Sequence, residues 1–557
     1  MKSKTSFFNT SLLRRDLVRY APAWVLYGVF LVLIFAGNLL DNTPAGIART
    51  LGESVQYFSI LNLIYAMLCA QLLLGDLHNT RMCNALHALP IRRESWFLTH
   101  LAAGMLFCLI PLTAAGLLFL AVLEKFWLAA LLWMAALTLQ FLFFYAVGMV
   151  SMLLTGNRFA GLVVYCIINF IAGIALWLFY ALFIPHLYGL IIDPEPWLVL
   201  CPVAEFLQRN WFSVISYETS SNTHLVVQDG WGYLLICSAV ALVFLGLGVL
   251  LYRKRNLEAA GDFLAFRRLS PVFLVLYTFS AGAALHLFGQ LFVNADNEFI
   301  FLLAGLTIGF LTGLMLLKRT LRVFRLKSFA QFGVILAIFG LSLVLTILDP
   351  FGITRWTPKA EDVQSVVLDR MYSSTMEQYR HTDPAIIEQV ISVHKYGIAH
   401  RDENINGRPD IQINFQYTLK SGRKVAREYA VDTGTLAAIT LEYVLSQPEQ
   451  LFGTDYPTAA EFLPNVSVIT VCDPSHDHEY NFRGREDVQS ILEAMYKDAR
   501  KGDLVQEYPL ISDNGTQTYS VYIESGDSSL SRRTWYIDVQ TQSKETSAIL
   551  DRLIQTK

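Results

Sequence analysis

Long apolar runs fill the first 348 residues of this 557-residue chain and limit what it can fold into. Between Ala21 and Leu348, many of these runs reach the roughly 20 residues that a helix needs to cross a lipid bilayer. Only 16% of all residues are charged, whereas soluble domains usually carry about 25%. Residues 350–557 differ, because they hold 21 Lys and Arg against 30 Asp and Glu. The sequence therefore predicts an integral membrane part followed by an acidic soluble domain.

The apolar runs predict about nine membrane-spanning helices. The predicted spans are 21–40, 54–74, 97–122, 127–154, 159–183, 231–252, 271–292, 299–317 and 328–348. The connections on the side of the N-terminus carry nineteen Lys and Arg, and those on the opposite side carry three. Cytoplasmic loops of membrane proteins are enriched in these residues, so the N-terminus is predicted to be cytoplasmic and the C-terminal domain extracellular. The predicted cytoplasmic segments are 1–20, 75–96, 155–158, 253–270 and 318–327.

The first cytoplasmic segment contains "SLLRRDLVRY", in which apolar residues recur near one helical face. Ser11 is the expected N-cap, and Pro22 is expected to break the helix. Arg14, Arg15 and Arg19 suit a helix that lies in the lipid interface, so residues 1–20 are predicted to form an interfacial elbow helix. The alternative is a basic flank that only sets the topology.

The insert "GDLHNTRMCNALHALPIRRESW", from Gly75 to Trp96, is too long and too polar for a simple turn between two spans. A short helix is predicted from Asp76 onward, closed by Pro90. Leu77, Met82 and Leu86 would then be offered to a partner, as in helix-in-groove docking. The alternative is a solvated loop without a partner.

The soluble part contains two similar series of elements. Alternating apolar residues predict strands, and apolar residues at i, i+3 and i+4 predict helices, so each series gives strand, helix, strand, strand, helix. Ile386 matches Val488 at an offset of 102, and Tyr429 matches Tyr536 at 107. We expect two repeated βαββα lobes, unless chance produced the pattern. The first series covers 361–370, 385–400, 411–419, 424–432 and 435–447, and the second covers 465–473, 485–502, 517–525, 533–541 and 544–555.

The chain lacks the motifs that would give it catalytic chemistry of its own. There is no GxxxxGK[ST] phosphate loop, no GxSxG, no HExxH and no EF-hand loop, and the seven cysteines form no metal-binding spacing. The stretch "DPSHDHEY" is a candidate metal cluster through His476, Asp477 and His478. A solvated polar turn is the preferred interpretation, and no metal is predicted.

The predicted spans also contain few ionisable groups. A proton-coupled transporter normally needs a buried acid or lysine near the bilayer midplane, and none is present. Polar residues such as His100, Gln140 and His286 are interpreted mainly as interhelical hydrogen-bonding groups rather than as a transport pathway. Any energy for transport would therefore have to come from a partner.

Three stretches resemble the membrane subunits of ABC-2 type transporters, mostly bacterial exporters. They are "RRDLVRYAPAWVLYG" (14–28), "GDLHNTRMCNALHALPIRRESWFLTHLAAG" (75–104) and "YRKRNLEAAGDFLAF" (252–266). An elbow helix, a cytoplasmic insert after the second span and six spans ending near Tyr252 are similar to the core of that family. The remaining spans and the outer domain resemble a narrower bacterial subgroup.

The resemblance implies a permease subunit in a bacterial cell membrane, paired with a second permease subunit and with separate ATP-binding subunits that hold ATP and Mg. The chain itself would then need no cofactor, would be no enzyme and would bind no nucleic acid. The substrate would be a peptide, an antimicrobial or a lipid-like molecule. The residues carried over as the coupling segment that docks on the ATP-binding subunit are Asp76, Leu77, His78, Thr80, Arg81, Met82, Leu86 and Leu89.

A competing hypothesis is a membrane-anchored sensor or immunity protein whose outer lobes bind a peptide or a cell-wall precursor.

The resemblance also implies a domain organisation. The expected parts are the elbow helix (1–20), a six-span domain (21–252) with the coupling segment (75–96) and an external loop (184–230), a basic linker (253–270), three further helices (271–348), and extracellular lobes at 350–460 and 461–557.

Overall fold

The computed structural model divides the chain into two compact units. One comprises Met1–Ala181 and Pro194–Leu341, and the other Leu182–Asp193 and Ser342–Lys557. The residues that the structure describes are 8–41, 43–88, 91–192, 195–216, 223–228, 230–293, 298–370, 380–401, 411–431, 435–452, 456, 458–472, 478–504, 517–525, 534–540 and 543–556.

The chain up to residue 348 is almost entirely helical. Its elements are α1 (Thr10–Arg19), α2 (Ala21–Asp41), α3 (Pro44–Leu74), α4 (Thr80–His87), α5 (Arg93–Val122), α6 (Trp127–Leu154), α7 (Arg158–Leu182), β1 (Leu190–Ile191), α8 (Glu195–Leu198), α9 (Pro202–Gln208), the hairpin β2 (Phe212–Ser216) and β3 (Thr223–Val227), α10 (Gly230–Lys254), α11 (Ser270–Val293), α12 (Glu298–Lys318) and α13 (Leu326–Leu348).

Within the described ranges, eight helices are long and apolar enough to cross a membrane, consistent with a multi-pass membrane protein. A ninth is counted only if α1 and the start of α2, which meet at a bend of 60°, form one span. The bend lies at Tyr20 rather than at Pro22, because proline is tolerated in the first turn of a helix. Helix α3 begins ten residues before the predicted span, since Thr43 caps it and its polar first turns are helical too.

Aromatic residues and a short chain of buried polar groups hold the first unit together. The Tyr27 hydroxyl donates to Asn62 Oδ1 at 2.8 Å, and Asn62 Nδ2 donates to Gln140 Oε1 at 3.4 Å. The Tyr27 and Tyr65 rings stack in parallel, with centroids 4.1 Å apart. These contacts join α2, α3 and α6, and they give Gln140 the interhelical bonding that was its preferred interpretation.

The second unit contains two sheets that carry their helices in the same order. Its elements are β4 (Val363–Arg370), β5 (Arg380–His381), α14 (Pro384–Ala399), β6 (Ile411–Leu419), β7 (Lys424–Val431), α15 (Leu436–Leu445), α16 (Pro448–Phe452), α17 (Ala459–Phe462), β8 (Val466–Cys472), β9 (Glu479–Phe482), α18 (Arg485–Lys501), β10 (Gln517–Ser525), β11 (Thr534–Gln540) and α19 (Lys544–Gln555).

The two sheets have equivalent strand orders. The first is β1-β7-β6-β4-β5 and the second is β11-β10-β8-β9, and every described pairing is antiparallel. Each lobe adds a short strand, β5 or β9, that the sequence pattern did not reveal. We call the first sheet with α14 and α15 lobe 1, and the second sheet with α18 and α19 lobe 2.

Strand β1 corrects the predicted external loop at 184–230. Leu190 pairs with Arg427 and Ile191 with Ala426, so this end of the loop belongs to lobe 1. The two residues cover the edge of β7, which would otherwise present unpaired backbone groups. Gly189 precedes the strand at φ +75°, and a Cβ there would lie 2.4 Å from the Tyr429 ring, so only glycine fits.

The repeat offsets need one correction. Ile386 and Val488 both lie in the helix-facing core, as the offset of 102 predicts. In the strands, however, Tyr429 faces the core while Tyr536 lies opposite Tyr522 on the other face of its sheet. The buried equivalent of Tyr429 is Ile537, at an offset of 108, because a shift of one residue in a strand exchanges the two faces.

His394 on α14 is fully buried and ring-stacked in lobe 1. Its ring lies 5.7 Å from Tyr417 and 5.1 Å from Tyr429 between centroids, and Nε2 is 3.1 Å from the Tyr429 hydroxyl. Burial, together with the positive charges of Arg427 and Lys395, lowers the pKa of His394 from 6.5 to about 3. The ring is therefore neutral in the folded protein at neutral pH.

This histidine makes lobe 1 sensitive to acid. Its contribution to the free energy of unfolding is fully present above pH 6.5 and falls by roughly 1.4 kcal/mol per pH unit as the pH drops toward 3, because the unfolded chain binds the proton first. We expect amide exchange of α14 in the full-length protein, corrected for intrinsic rates, to accelerate between pH 7 and pH 5. His394→Phe keeps an aromatic ring and should reduce that acceleration. If amide exchange of α14 accelerates equally in the unmodified protein and in His394→Phe, His394 is not the group that makes lobe 1 sensitive to acid.

Candidate functional site

The segment at 75–96, which was predicted to be a coupling segment, folds in its described part as a tight turn followed by a short helix. A 3-10 turn at Gly75–His78 continues from α3, and α4 then begins at Thr80. Asn79 acts as its cap, because Asn79 Oδ1 accepts from the backbone N–H groups of Arg81 at 3.0 Å and Met82 at 3.4 Å. The predicted helix from Asp76 is thus divided in two by Asn79.

Burial separates the segment into a base and an exposed face. Asp76 is buried, and Leu77 is only 1% exposed within the main apolar core. The assignment of these two residues to the docking surface is therefore corrected, because neither presents its side chain to a partner in this structure. Thr80, Arg81 and Met82 form the exposed face, with Met82 at 40%.

Of two further predicted docking residues, the structure describes only the backbone of one and leaves out the other. The backbone of Leu86 belongs to α4, and Leu89 lies outside the described residues. Cys83, on the inner side of α4, packs into the main apolar core. The helix thus rests on the bundle through Cys83 and leaves its other side to solvent.

Arg255 holds the base of this segment against the end of α6. Its Nη1 donates to the carbonyls of Met152 and Leu153, both at 2.9 Å, and its Nη2 donates to the Leu77 carbonyl at 3.3 Å. The last carbonyls of a helix have no partner within the helix, and a positive charge there also interacts favourably with the helix dipole. Burial lowers the pKa of Arg255 to about 10, so it stays charged at neutral pH.

His78 shares one of these carbonyls with Arg255, that of Met152, and also reaches the Thr155 carbonyl. Its Nε2 lies 2.9 Å from the Met152 oxygen and 3.0 Å from the Thr155 oxygen, so Nε2 carries the proton that these acceptors require. His78 was predicted as a docking residue. The structure gives it an internal role, as a donor to the end of α6.

The basic linker at 253–270 folds onto the turn between α6 and α7, which sequence reasoning missed. Gly261 N donates to the Gly156 carbonyl at 2.6 Å, and Ala265 N donates to the Leu154 carbonyl at 2.8 Å. A Cβ on Gly156 would lie 1.9 Å from the Ala259 oxygen, so the linker closes over a position that only glycine can fill.

Ion pairs extend this cluster to neighbouring helices. Arg253 lies 2.6 Å from Glu94 at the start of α5, and Arg319 at the end of α12 lies 3.0 Å from Asp262 in the linker. Arg93 donates to the Arg255 carbonyl at 3.1 Å. Four segments that the charge count placed on one side, 75–96, 155–158, 253–270 and 318–327, thus meet at one end of the helices. We call this contact region the basal cluster.

The elbow helix is pinned at its middle rather than lying free. Its N-cap is Asn9, whose Oδ1 accepts from Leu12 N, and not Ser11. Asp16 is fully buried, and its Oδ2 lies 2.9 Å from His100 Nδ1 on α5. Sequence reasoning missed this pair, because the two residues lie 84 positions apart. The predicted interfacial residues Arg14, Arg15 and Arg19 are all exposed.

The candidate metal cluster is only partly visible. His476 and Asp477 lie outside the described residues, and His478 is exposed just before β9. Among the residues that the structure describes, no group of three or more His, Cys, Asp and Glu side chains could hold a metal ion.

Comparisons with protein-family models, curated proteins and solved structures found no match to this chain. The site must therefore be interpreted from its own geometry. That geometry is a short, partly exposed helix on a base that is hydrogen-bonded to Arg255 and next to His78.

Replacing Arg255 tests whether the base depends on its guanidinium. Arg255→Met removes a hydrogen-bond donor from three carbonyls, of which only that of Met152 keeps the bond from His78, and we expect a loss of roughly 2–4 kcal/mol in stability together with faster amide exchange in Gly75–His78 and α4. Arg253→Met removes the same charge from an exposed neighbour and should have an effect below about 1 kcal/mol. Equal exchange in the two variants would rule out Arg255 as the clamp.

Proposed function

We propose that this chain is the membrane-spanning permease subunit of an ATP-driven ABC transporter of the ABC-2 type. In this proposal it is an exporter that moves a peptide, an antimicrobial or a lipid-like substrate. A separate ATP-binding subunit supplies the energy, and a second permease subunit completes the pathway across the cell membrane. The N-terminus and the basal cluster are placed in the cytoplasm, and both lobes are placed outside.

The observation that carries the proposal is the construction of α4. Thr80, Arg81 and Met82 are exposed on a helix whose base is joined by Arg255 and His78 to the end of α6. A partner that pushes on such a helix displaces the helices beneath it rather than bending a loop. A force-receiving element needs this stiffness, and a solvated loop does not.

The charges of the basal cluster support the cytoplasmic placement. Its segments hold most of the Lys and Arg outside the lobes, and their helix ends lie together in the structure. Lys and Arg are enriched in cytoplasmic connections, where an ATP-binding subunit would also lie. The chain has no phosphate-binding loop of its own, so ATP and Mg would be bound by that partner.

Co-purification with an ATP-binding protein encoded beside this chain tests the docking role. Met82→Asp places a carboxylate on the exposed face of α4 without disturbing its buried base. We expect recovery of the ATP-binding protein to fall about tenfold or more, because a buried unpaired charge is strongly unfavourable in an apolar groove. Leu77→Asp would not be informative, since it would disrupt the core.

A matched control separates docking from a general surface effect. Leu200 is exposed in the connection 184–230, which is not part of the basal cluster, so Leu200→Asp makes the same change elsewhere on the chain and should leave recovery unchanged. If Met82→Asp assembles as well as the unmodified chain while both variants are folded, α4 is not the docking helix.

A membrane-anchored sensor or immunity protein is the second candidate, in which the lobes bind a peptide or a cell-wall precursor. The observation in its favour is the buried Arg427 of lobe 1, whose Nε and Nη1 have no hydrogen-bond partner among the described residues and are available to an acceptor on a ligand. Transport assayed in vesicles that contain the ATP-binding protein distinguishes the two. Ligand-dependent signalling without ATP-dependent transport would replace the permease proposal by this one.

A further inference from the structure

Lobe 1 carries a group of polar side chains on the helix-facing side of its sheet. In the pairing of β6 with β7, Phe415 lies opposite Arg427 and Ile413 lies opposite Tyr429. Because alternate residues of a strand share a face, Tyr417 lies diagonally beside Arg427 on the same side. His394 on α14 covers them. We call His394, Tyr417, Arg427 and Tyr429 the lobe 1 polar cluster.

Several polar atoms of this cluster lack a partner although they are deeply buried. Arg427 is 2% exposed, and Tyr417 and His394 are fully buried. Arg427 Nε and Nη1, the Tyr417 hydroxyl and His394 Nδ1 have no hydrogen-bond partner in the described part of the chain. Buried polar groups are nearly always hydrogen-bonded, so this many unpaired donors in one place indicates a missing acceptor.

The guanidinium of Arg427 is not neutralised within the cluster. His394 is neutral at pH 7 and offers no negative charge. Asp349 acts electrostatically on Arg427, but its oxygens accept from Ile353 N at 2.7 Å, Thr354 N at 2.9 Å and Thr354 Oγ1 at 2.6 Å. Among the described residues, the Arg427 side chain makes one hydrogen bond, from Nη2 to the neutral Ile353 carbonyl at 2.7 Å.

Lobe 2 builds the same fold and buries an acidic side chain instead of an arginine. Asp498 on α18 is fully buried, and its Oδ2 accepts from Thr546 N and Thr546 Oγ1, both at 2.8 Å. The sequence of lobe 2 has no arginine at the position matched to Arg427, so the shared fold does not require one there. By the offsets of 108 for strands and 102 for helices, the lobe 2 residues at the matched positions are Trp535 for Arg427, Ser525 for Tyr417 and Tyr496 for His394.

The cover over Arg427 is apolar and lies next to the last spanning helix. The loop that begins at Asp349 follows α13 directly, and it contains Phe351, which is 83% exposed, and exposed Ile353. The Arg427 guanidinium lies 5.9 Å from the centroid of the Trp356 ring. If α13 crosses the bilayer, these aromatic residues lie at the height of the lipid headgroups, where tryptophan is enriched.

We propose that the lobe 1 polar cluster binds the phosphate of an anionic lipid headgroup. A phosphate oxygen replaces the Ile353 carbonyl as the acceptor of Arg427, and a second oxygen accepts from Nε or Nη1. Arginine matches phosphate in this two-point manner, and a charged acceptor binds more strongly than the carbonyl it replaces. The Tyr417 hydroxyl supplies a further donor, and Trp356 and Phe351 contact the upper acyl chains.

This inference depends on α13 crossing the membrane and not on the docking of α4. If the co-purification experiment contradicts docking through α4, the lipid proposal is unaffected. If the lipid proposal is overturned, the docking proposal is likewise unaffected.

Calorimetric titration of the full-length chain in a non-ionic detergent tests the inference. The probes are dihexanoyl phosphatidylglycerol, the zwitterionic dihexanoyl phosphatidylcholine and inorganic phosphate. We expect the anionic lipid to bind the tightest, and Arg427→Gln to weaken it by roughly 10- to 100-fold, as the loss of a charge-assisted hydrogen bond predicts. Arg423→Gln removes an exposed charge from the same hairpin and should change the affinity by less than about twofold.

A second variant covers the case in which Arg427→Gln does not fold. Trp356→Ala alters only the cover, and it should weaken the lipid but not inorganic phosphate. The inference is overturned if no probe binds, if folded Arg427→Gln or Trp356→Ala binds the anionic lipid normally, or if the two lipids bind equally. Phosphate that binds as tightly as the lipid would instead define a site for soluble anions and would likewise overturn it.

Discussion

The carbonyl groups at the end of α6 impose the constraint on which the basal cluster depends. A helix that ends at the membrane boundary leaves its last carbonyls without partners in the helix, and burial makes such groups unfavourable. Here Arg255 and His78 satisfy them from two segments that are distant in sequence. The same arginine also bonds the Leu77 carbonyl, so one side chain fixes the linker, the base of α4 and the end of α6 together.

Features that depend on local patterns could be predicted from the sequence, and features that depend on distant contacts could not. The long apolar runs alone indicated a multi-pass helical protein, because span length is set by bilayer thickness. The alternation of apolar residues located the main strands of both lobes. The spacing of Leu77 and Met82 was equally regular, yet one is buried and the other exposed. Spacing within a short segment cannot tell which side is covered, because the segment is held by residues far away in sequence, such as Arg255, which bonds the Leu77 carbonyl from 178 positions away.

Other features carried too little pattern to be found. Strand β1 has only two residues, and its place in the sheet is decided by its partner β7. The Asp16–His100 pair joins two segments whose individual sequences suggested only an interfacial elbow helix and a polar residue in a span. Tyr429 was wrongly matched with Tyr536 because both are tyrosines in equivalent β-strands. Successive residues of a strand point to opposite faces, so an offset that is wrong by one residue matches a buried position with an exposed face.

The basal cluster also bears on what the additional helices α11 to α13 contribute. Arg319 at the end of α12 pairs with Asp262, and the linker that carries Asp262 closes over Gly156 at the end of α6. A displacement of α4 by a partner therefore acts on a connected set of backbone hydrogen bonds and ion pairs rather than on α3 and α5 alone. Energetic coupling between sites needs such a contiguous network with two arrangements. If the helices have a second arrangement, the linker has to move together with the end of α6. The close contact between Gly156 and the linker leaves no room for either to move alone. Helix α12, one of the three additional helices, is thus attached through Arg319 to the linker that also contacts the end of α6.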